Sequence, residues 1–251
     1  MTAERLLAEL ETLGVRLAVD GERLRVNAAA GVVGDALKAR IGAAKPELIA
    51  LLAARAGAAT APAPEGEFPV SFAQRRLWFI DQLEPGNKAY HLGAVHRIES
   101  PIDTAAMEAA VDDVRRRQPA LRTVFRADDG EPVQVVRPHG FEPLPLDDLS
   151  ELPEAERDAA ADAIARDEAA RPFDLASGPL FRARLLRLGA ARYRLLFTLH
   201  HIVCDGWSLG IFLADLHVAY AARAAGQAPV YAPLGTHFGA VAARERATLT
   251  G

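Results

Sequence analysis

The chain has 251 residues, 50% of them hydrophobic and 25% charged, a composition that fits a globular protein and excludes collagen-like and disordered chains. Twenty-nine Lys and Arg against 33 Asp and Glu leave a formal charge of −4, so there is no global positive field to hold nucleic acid or anionic lipid. The single cysteine, Cys204, permits no internal disulfide, no run of about 18 apolar residues suggests a membrane span, and the N-terminus MTAERLLAELE carries charges where a signal peptide needs an apolar core; a cytoplasmic location is expected.

Leu6, Leu7, Leu10 and Leu13 recur at helical spacing, and Gly14 follows as a C-terminal cap. VRLAV, Asp20-Gly21 and ERLRV then read as strand, tight turn and strand. Val15, Leu17, Val19, Leu24 and Val26 fall on one face, and Arg16, Arg23 and Arg25 on the other. Helices are expected over about 34–43 and 46–55, the second opened by Pro46 in its first turn. The order is αββαα. Residues 57–67, GAATAPAPEGE, concentrate Ala, Pro and Gly and read as a linker between a domain at 1–56 and another at 68–251.

In the larger part, Ser71 and Gln74 have the spacing of a capping box at the start of an amphipathic helix. A strand YHLGAVHRIE and a helix from about Asp103 to Arg117 follow, and Asp129-Gly130 turns between RTVFRA and EPVQVV. A long helix fits Glu154 to Arg171. Strands alternating with helices indicate an α/β or α+β layered fold.

The chemistry concentrates in His200-His201-Ile202-Val203-Cys204-Asp205-Gly206-Trp207-Ser208, where the strand RYRLLFTL gives way to a helix. Three simpler explanations compete. A metal site has a weak ligand set in His201 and Asp205, with His200 pointing the opposite way on a pleated strand. A Cys204–His201 nucleophile pair lacks an orienting third group. Core packing explains a lone histidine better than two adjacent ones followed by Asp-Gly.

Residues 2–55, through LLAEL, GVRLAVDGERLRV and KPELIALL, resemble the TubC-type N-terminal docking domains of nonribosomal peptide synthetases. The alternative is a small DNA-binding or structural helical domain, which the net charge of only +1 over residues 1–57 (eight basic, seven acidic) disfavours. From Phe68 onward, SFAQRRLW, LRTVF with Arg122, PFDLASGPLFRARLLRL and LHHIVCDGWS resemble condensation domains of those synthetases, members of the chloramphenicol acetyltransferase-like superfamily that share HHxxxDG. Two departures stand out: Arg117-Gln118-Pro119 occupies the place of the family's Arg-His-Glu, and THFGAVAARE barely retains its later aromatic motif.

The resemblance implies an α+β fold, a docking domain joined by a Pro/Ala linker to one acyltransferase-like sandwich lobe, with the second lobe absent and the chain inactive alone. It implies that His201 faces the reaction and that the Gly206 N–H serves the developing oxyanion. His200, Asp205, Trp207 and Arg122 would be structural, Asp205 through an arginine pair. Arg16, Arg23 and Arg25 would bind the acidic C-terminal tail of an upstream subunit, with a homodimer through the docking domain as a further option. Donor and acceptor carrier proteins would bring substrates on phosphopantetheine, and no cofactor or metal would be bound directly. The alternatives are an interaction module without catalysis and an HHxxxDG acyltransferase using acyl-CoA.

Overall fold

The computed structural model describes residues 3–12, 15–20, 23–27, 32–59, 65–232 and 234–248. It divides into two compact units, Met1–Pro62 with Val230–Leu234, and Ala63–Pro229 with Gly235–Gly251.

In the first unit, α1 (Ala3–Thr12) precedes the antiparallel strands β1 (Arg16–Asp20) and β2 (Arg23–Asn27), then α2 (Asp35–Ala43) and α3 (Lys45–Ala59). Leu6, Leu7 and Leu10 of α1 enter a core with Val15, Leu37, Ile41 and Leu48, as the helical spacing requires. Leu13, expected on the helix face, and Gly14, expected as its cap, lie outside the described residues. The Val15 N–H donates to Leu10 O at 2.8 Å. The hairpin register closes on Asp20 opposite Arg23, and Gly21 lies outside the described residues. So do the side chains of Arg16, Arg23 and Arg25. Leu17 and Leu24 pack on the core, whereas Val26 is exposed. Arg40 of α2 forks onto the Glu9 carboxylate of α1 with two hydrogen bonds, which holds the Glu9 carboxyl below its usual range.

Regular structure extends into both ends of the stretch expected to be linker. The helix α3 continues to Ala59, and β3 (Gly66–Pro69) begins before Phe68.

The second unit holds two sheets. The strand β6 (Glu131–Val136) is central in the first, flanked by β3 and β5 (Thr123–Asp128). Asp128 pairs with Glu131, and Asp129 (φ 47°) with Gly130 (φ 83°) forms the left-handed two-residue turn that an Asp-Gly pair favours. In the second sheet β4 (His91–Ile98), β9 (Arg192–His200), β8 (Phe181–Gly189) and β7 (Leu146–Asp148) lie side by side, β7 parallel to β8 and the other pairs antiparallel. Helices cover both of its faces. Leu186, Leu188 and Leu196 pack on Ala161 of α6 (Glu154–Ala170), and Arg194 pairs with Asp158 and Asp162 of that helix. On the opposite face Phe181 and Phe197 meet Phe212 of α7 (Gly206–Ala224). Covering on both sides explains why β9 is buried along nearly its whole length, with Leu195, Leu196, Phe197 and Leu199 facing the two helix layers.

Two further ties fix α7. Against α5 (Thr104–Arg117), its Asp215 accepts from Arg117 Nε at 3.0 Å and from Gln118 Nε2 at 2.6 Å, and its Arg223 forks onto Asp113. Gln118, where the resembled family carries histidine, thus bonds the helix that follows the His-His motif. At the other end of the unit, α8 (Phe238–Thr248) reaches the start of α4 (Phe72–Leu83): Glu245 accepts from the Phe72 N–H at 3.2 Å and Arg246 donates to Val70 O at 2.9 Å. No helix among the described residues is long and apolar enough to cross a membrane.

Candidate active site

The strand β9 delivers the two histidines. Adjacent residues on a pleated strand point to opposite sides. His200, the last residue of β9, turns inward and is 2% exposed, against His91, Tyr90 and Phe173. Burial, with His91 and His201 adding to it, pulls its pKa down to about 4, so the ring is neutral at physiological pH. Its Nδ1 lies 3.1 Å from the Ile202 backbone N and accepts that N–H.

His201 lies just past the strand end and is exposed. Its backbone N–H donates to Tyr90 O at 2.8 Å, while the next side chain, Ile202, is buried in a core with Val70, Trp78, Phe125 and Phe173. An exposed imidazole is thus held between two buried neighbours. The capping box forms as its spacing predicts: Ser71 Oγ accepts from Gln74 N–H at 3.1 Å, and Gln74 Oε1 accepts from Ser71 N–H at 3.0 Å. The same Gln74 amide donates from Nε2 to Ile202 O at 3.1 Å. Sequence spacing exposed the cap and concealed this second bond.

Asp205 is the N-cap of α7. Its Oδ1 accepts from Ser208 Oγ at 2.6 Å and Ser208 N at 2.8 Å, and these bonds hold its carboxyl below the usual carboxylate range. The expected arginine partner is replaced by Ser208, because the aspartate opens a helix and the first-turn N–H groups claim its oxygen. An ionised, doubly bonded N-cap is a poor general base.

Gly206 is the first residue of α7. A Cβ built there meets nothing within 4 Å, so this unit's own packing does not require a glycine. Trp207 is 83% exposed, which corrects the expectation of a structural role within this unit: α7 buries Phe212, Asp215, Leu216 and Ala219, and Trp207 lies on the other side of the helix. Arg122, in a 3₁₀ turn at Pro119–Arg122, donates to Arg137 O, while Arg137 N–H donates back to Arg122 O at 3.0 Å. It joins two segments away from the histidines.

Cys204 is poorly placed to act as a nucleophile. Burial and the adjacent Asp205 push its thiol up to about 11, and its Sγ–H donates to Asp205 O. Among the described residues no group of His, Cys, Asp and Glu is arranged to hold a metal ion.

A cavity of about 470 Å³ opens at His201, walled by Ser71, Gln74 and Leu77 of the α4 end, Tyr90, Asp205 and Phe238 of α8. A separate cavity of about 330 Å³, between α5 and β8, includes none of residues 200–208 in its lining.

Residues 64–250 match the condensation domain model. The chain belongs to the condensation domain family. Residues 4–53 match the TubC N-terminal docking domain. The condensation-domain chain is 44% identical over 208 residues to phosphinothricin tripeptide synthetase PhsC of Streptomyces viridochromogenes, covering 77% of this chain and 19% of that protein. It is 42% identical over 165 residues to chondramide synthase cmdD of Chondromyces crocatus, covering 65% of this chain and 4% of that one. It thus spans less than a fifth of the length of these relatives. Among solved structures, the starter condensation domain of rhizomide synthetase RzmA superposes with a TM-score of 0.66 at 26% identity, over 74% of this chain and 46% of that one. A structure from the enacyloxin polyketide synthase, described as the basis of condensation domain-mediated chain release, gives a TM-score of 0.62 at 27% identity, over 100% of this chain and 49% of its own.

Proposed function

We propose that this condensation-domain chain works within a nonribosomal peptide synthetase, docking an upstream subunit through its first unit and contributing the His201 side of an amide-forming site through its second. The observation that carries the chemistry is the exposed His201 imidazole at the mouth of the 470 Å³ cavity, held by a buried residue on either side. Donor and acceptor groups arrive as thioesters on carrier-protein phosphopantetheine. An RzmA variant was solved in complex with C8-CoA and Leu-SNAC, a pairing consistent with one acyl donor and one aminoacyl acceptor in one domain.

The acceptor amine nitrogen attacks the thioester carbonyl carbon, the C–S bond breaks, and the amine proton ends on the departing thiolate. A free α-amino group has a pKa of about 7.7–8.0, so an appreciable fraction is neutral at pH 7 without a strong base. His201 hydrogen-bonds and orients that amine and takes the proton as the tetrahedral species forms, an effect worth about 10²- to 10⁴-fold. The open space at Gly206 leaves room for the thioester beside the first-turn N–H groups of α7.

The docking partner is an acidic, partly apolar C-terminal tail. The two-stranded sheet leaves each of β1 and β2 an outer edge for strand addition, and the register sets Arg25 opposite Ala18 and Arg23 opposite Asp20. The docking match favours this carrier-bound route over free acyl-CoA, which needs no protein address.

The test offers the synthetase that carries this segment one carrier loaded with an acyl thioester and one with an aminoacyl thioester, and follows the acceptor by mass spectrometry. Transfer of the acyl group to the aminoacyl carrier is expected. Transfer to a small-molecule acceptor with no product on the carrier would contradict the proposal.

A further inference from the structure

We infer that Gln74 is a positioning residue for His201, acting through the backbone of the His-His loop; the inference rests on the reading of His201 above. Gln74 is 3% exposed, and its side-chain amide is used in two directions. The oxygen accepts from Ser71 N–H and closes the start of α4, while the nitrogen donates to Ile202 O, 128 residues further along the chain. A capping box needs only the oxygen, and glutamate serves it as well as glutamine does. The amide nitrogen has a separate task. It satisfies the buried carbonyl of Ile202, the residue that directly follows His201, an unpaired group there being costly.

The geometry makes the loop a pinned span. On one side the His201 N–H is held by Tyr90 O; on the other, the Ile202 N–H is held by His200 Nδ1 and the Ile202 carbonyl by Gln74. His201 hangs between these three bonds with no buried packing of its own. Tyr90 O reaches the loop from the start of β4 and Gln74 from the start of α4, and the start of α4 is itself clamped by Glu245 and Arg246 of α8. The position of the α4 start therefore sets the height of the Ile202 peptide and, through it, the direction of the His201 side chain. A misplacement of a reacting group by about 1 Å is enough to cost on the order of 100-fold in rate.

Two variants separate the tasks. Ser71→Ala removes the hydroxyl acceptor of the cap and leaves the Gln74–Ile202 bond in place; Gln74→Met removes both amide bonds at nearly constant volume. Amide hydrogen exchange in the 251-residue chain should show residues 201–204 exchanging at least tenfold faster in Gln74→Met, with Ser71→Ala affecting only the first turn of α4. In the full synthetase Gln74→Met should lower kcat about 10- to 100-fold and leave KM for the aminoacyl carrier within about twofold. Should Gln74→Met fail to fold, Gln74→Glu at pH 8 carries the same test, since its carboxylate accepts from Ser71 but has no hydrogen for Ile202. Unchanged exchange at residues 201–204, or equal effects of the Ser71 and Gln74 variants, would overturn the inference. A loosened loop with unaltered turnover, in an enzyme that His201→Ala inactivates, would overturn it too. If His201→Ala itself leaves turnover intact, the reading of His201 fails, and the exchange result still decides whether Gln74 holds the loop.

Discussion

The Nδ1 of His200 accepts the backbone N–H of Ile202 at 3.1 Å, across the residue that faces the cavity. This bond requires an unprotonated Nδ1, so a neutral His200 is part of the loop's construction. Protonating it would replace an acceptor with a second donor aimed at an N–H.

That geometry predicts acid sensitivity. The folded chain keeps His200 neutral down to about pH 4, whereas the unfolded chain takes up the proton near the ordinary 6.5. Between those values the unfolded state binds more protons, so the stabilisation is fully present above about pH 6.5 and lost as pH falls toward 4, by ~3 kcal/mol in total. His200→Asn, whose carbonyl replaces Nδ1 as acceptor, should flatten the melting temperature between pH 6.5 and 4.5 relative to the parent chain. An identical slope in both proteins would show that His200 does not carry the effect.

Asp205 gives a second contrast. As an N-cap, its loss in Asp205→Ala should cost about 1 kcal/mol, while Asp205→Asn retains a side-chain oxygen for the Ser208 N–H and should stay within a few tenths of the parent. Thermal denaturation of the two variants distinguishes this role from an arginine pair, in which the neutral asparagine would be nearly as damaging as alanine.

The contact between α5 and α7 should be sensitive to single deletions. Asp215 is largely buried and accepts from both Arg117 and Gln118. Removing it in Asp215→Ala leaves a cation and an amide without that acceptor, and the expected loss is about 3 kcal/mol in chemical denaturation. A change below about 1 kcal/mol would mean that water replaces the carboxylate.

For the docking unit, Arg23→Glu with Arg25→Glu should weaken binding of an acidic tail peptide and improve binding of its charge-reversed form, and added salt should reduce the affinity of the parent pair. Exposed ion pairs contribute about 0–1 kcal/mol each, so the complex is expected to be weak and reversible. Calorimetric titration indifferent to both changes, or mass that rises with concentration and blocks the tail, would move the docking surface elsewhere or assign the edge to a homodimer.

Much of this architecture was legible in the sequence because its signals are local. Leu6, Leu7 and Leu10 announce a helix face, Asp129-Gly130 a left-handed turn, and Ser71 with Gln74 a cap, and each needs only neighbours three or four residues away. The strand β3 was hidden, since Gly66 and Pro69 are poor strand formers and it exists through pairing with β6 across more than sixty residues. The second bond of Gln74 was hidden for the same reason. The partner of Asp205 is local, since Asp-x-x-Ser before an apolar helix is an N-cap pattern.

The division of labour in which His201 faces the reaction while His200 supports the fold is tested most directly by single-turnover amide formation in the full synthetase carrying His201→Ala or His200→Asn. Both proteins are compared under conditions where their melting curves show the site-bearing domain folded. His201→Ala is expected to lower the rate about 10²- to 10⁴-fold with an unchanged melting temperature, and His200→Asn to retain most of the rate of the parent while melting earlier. Equal loss of rate in two equally stable variants, or full activity in His201→Ala, would contradict that division.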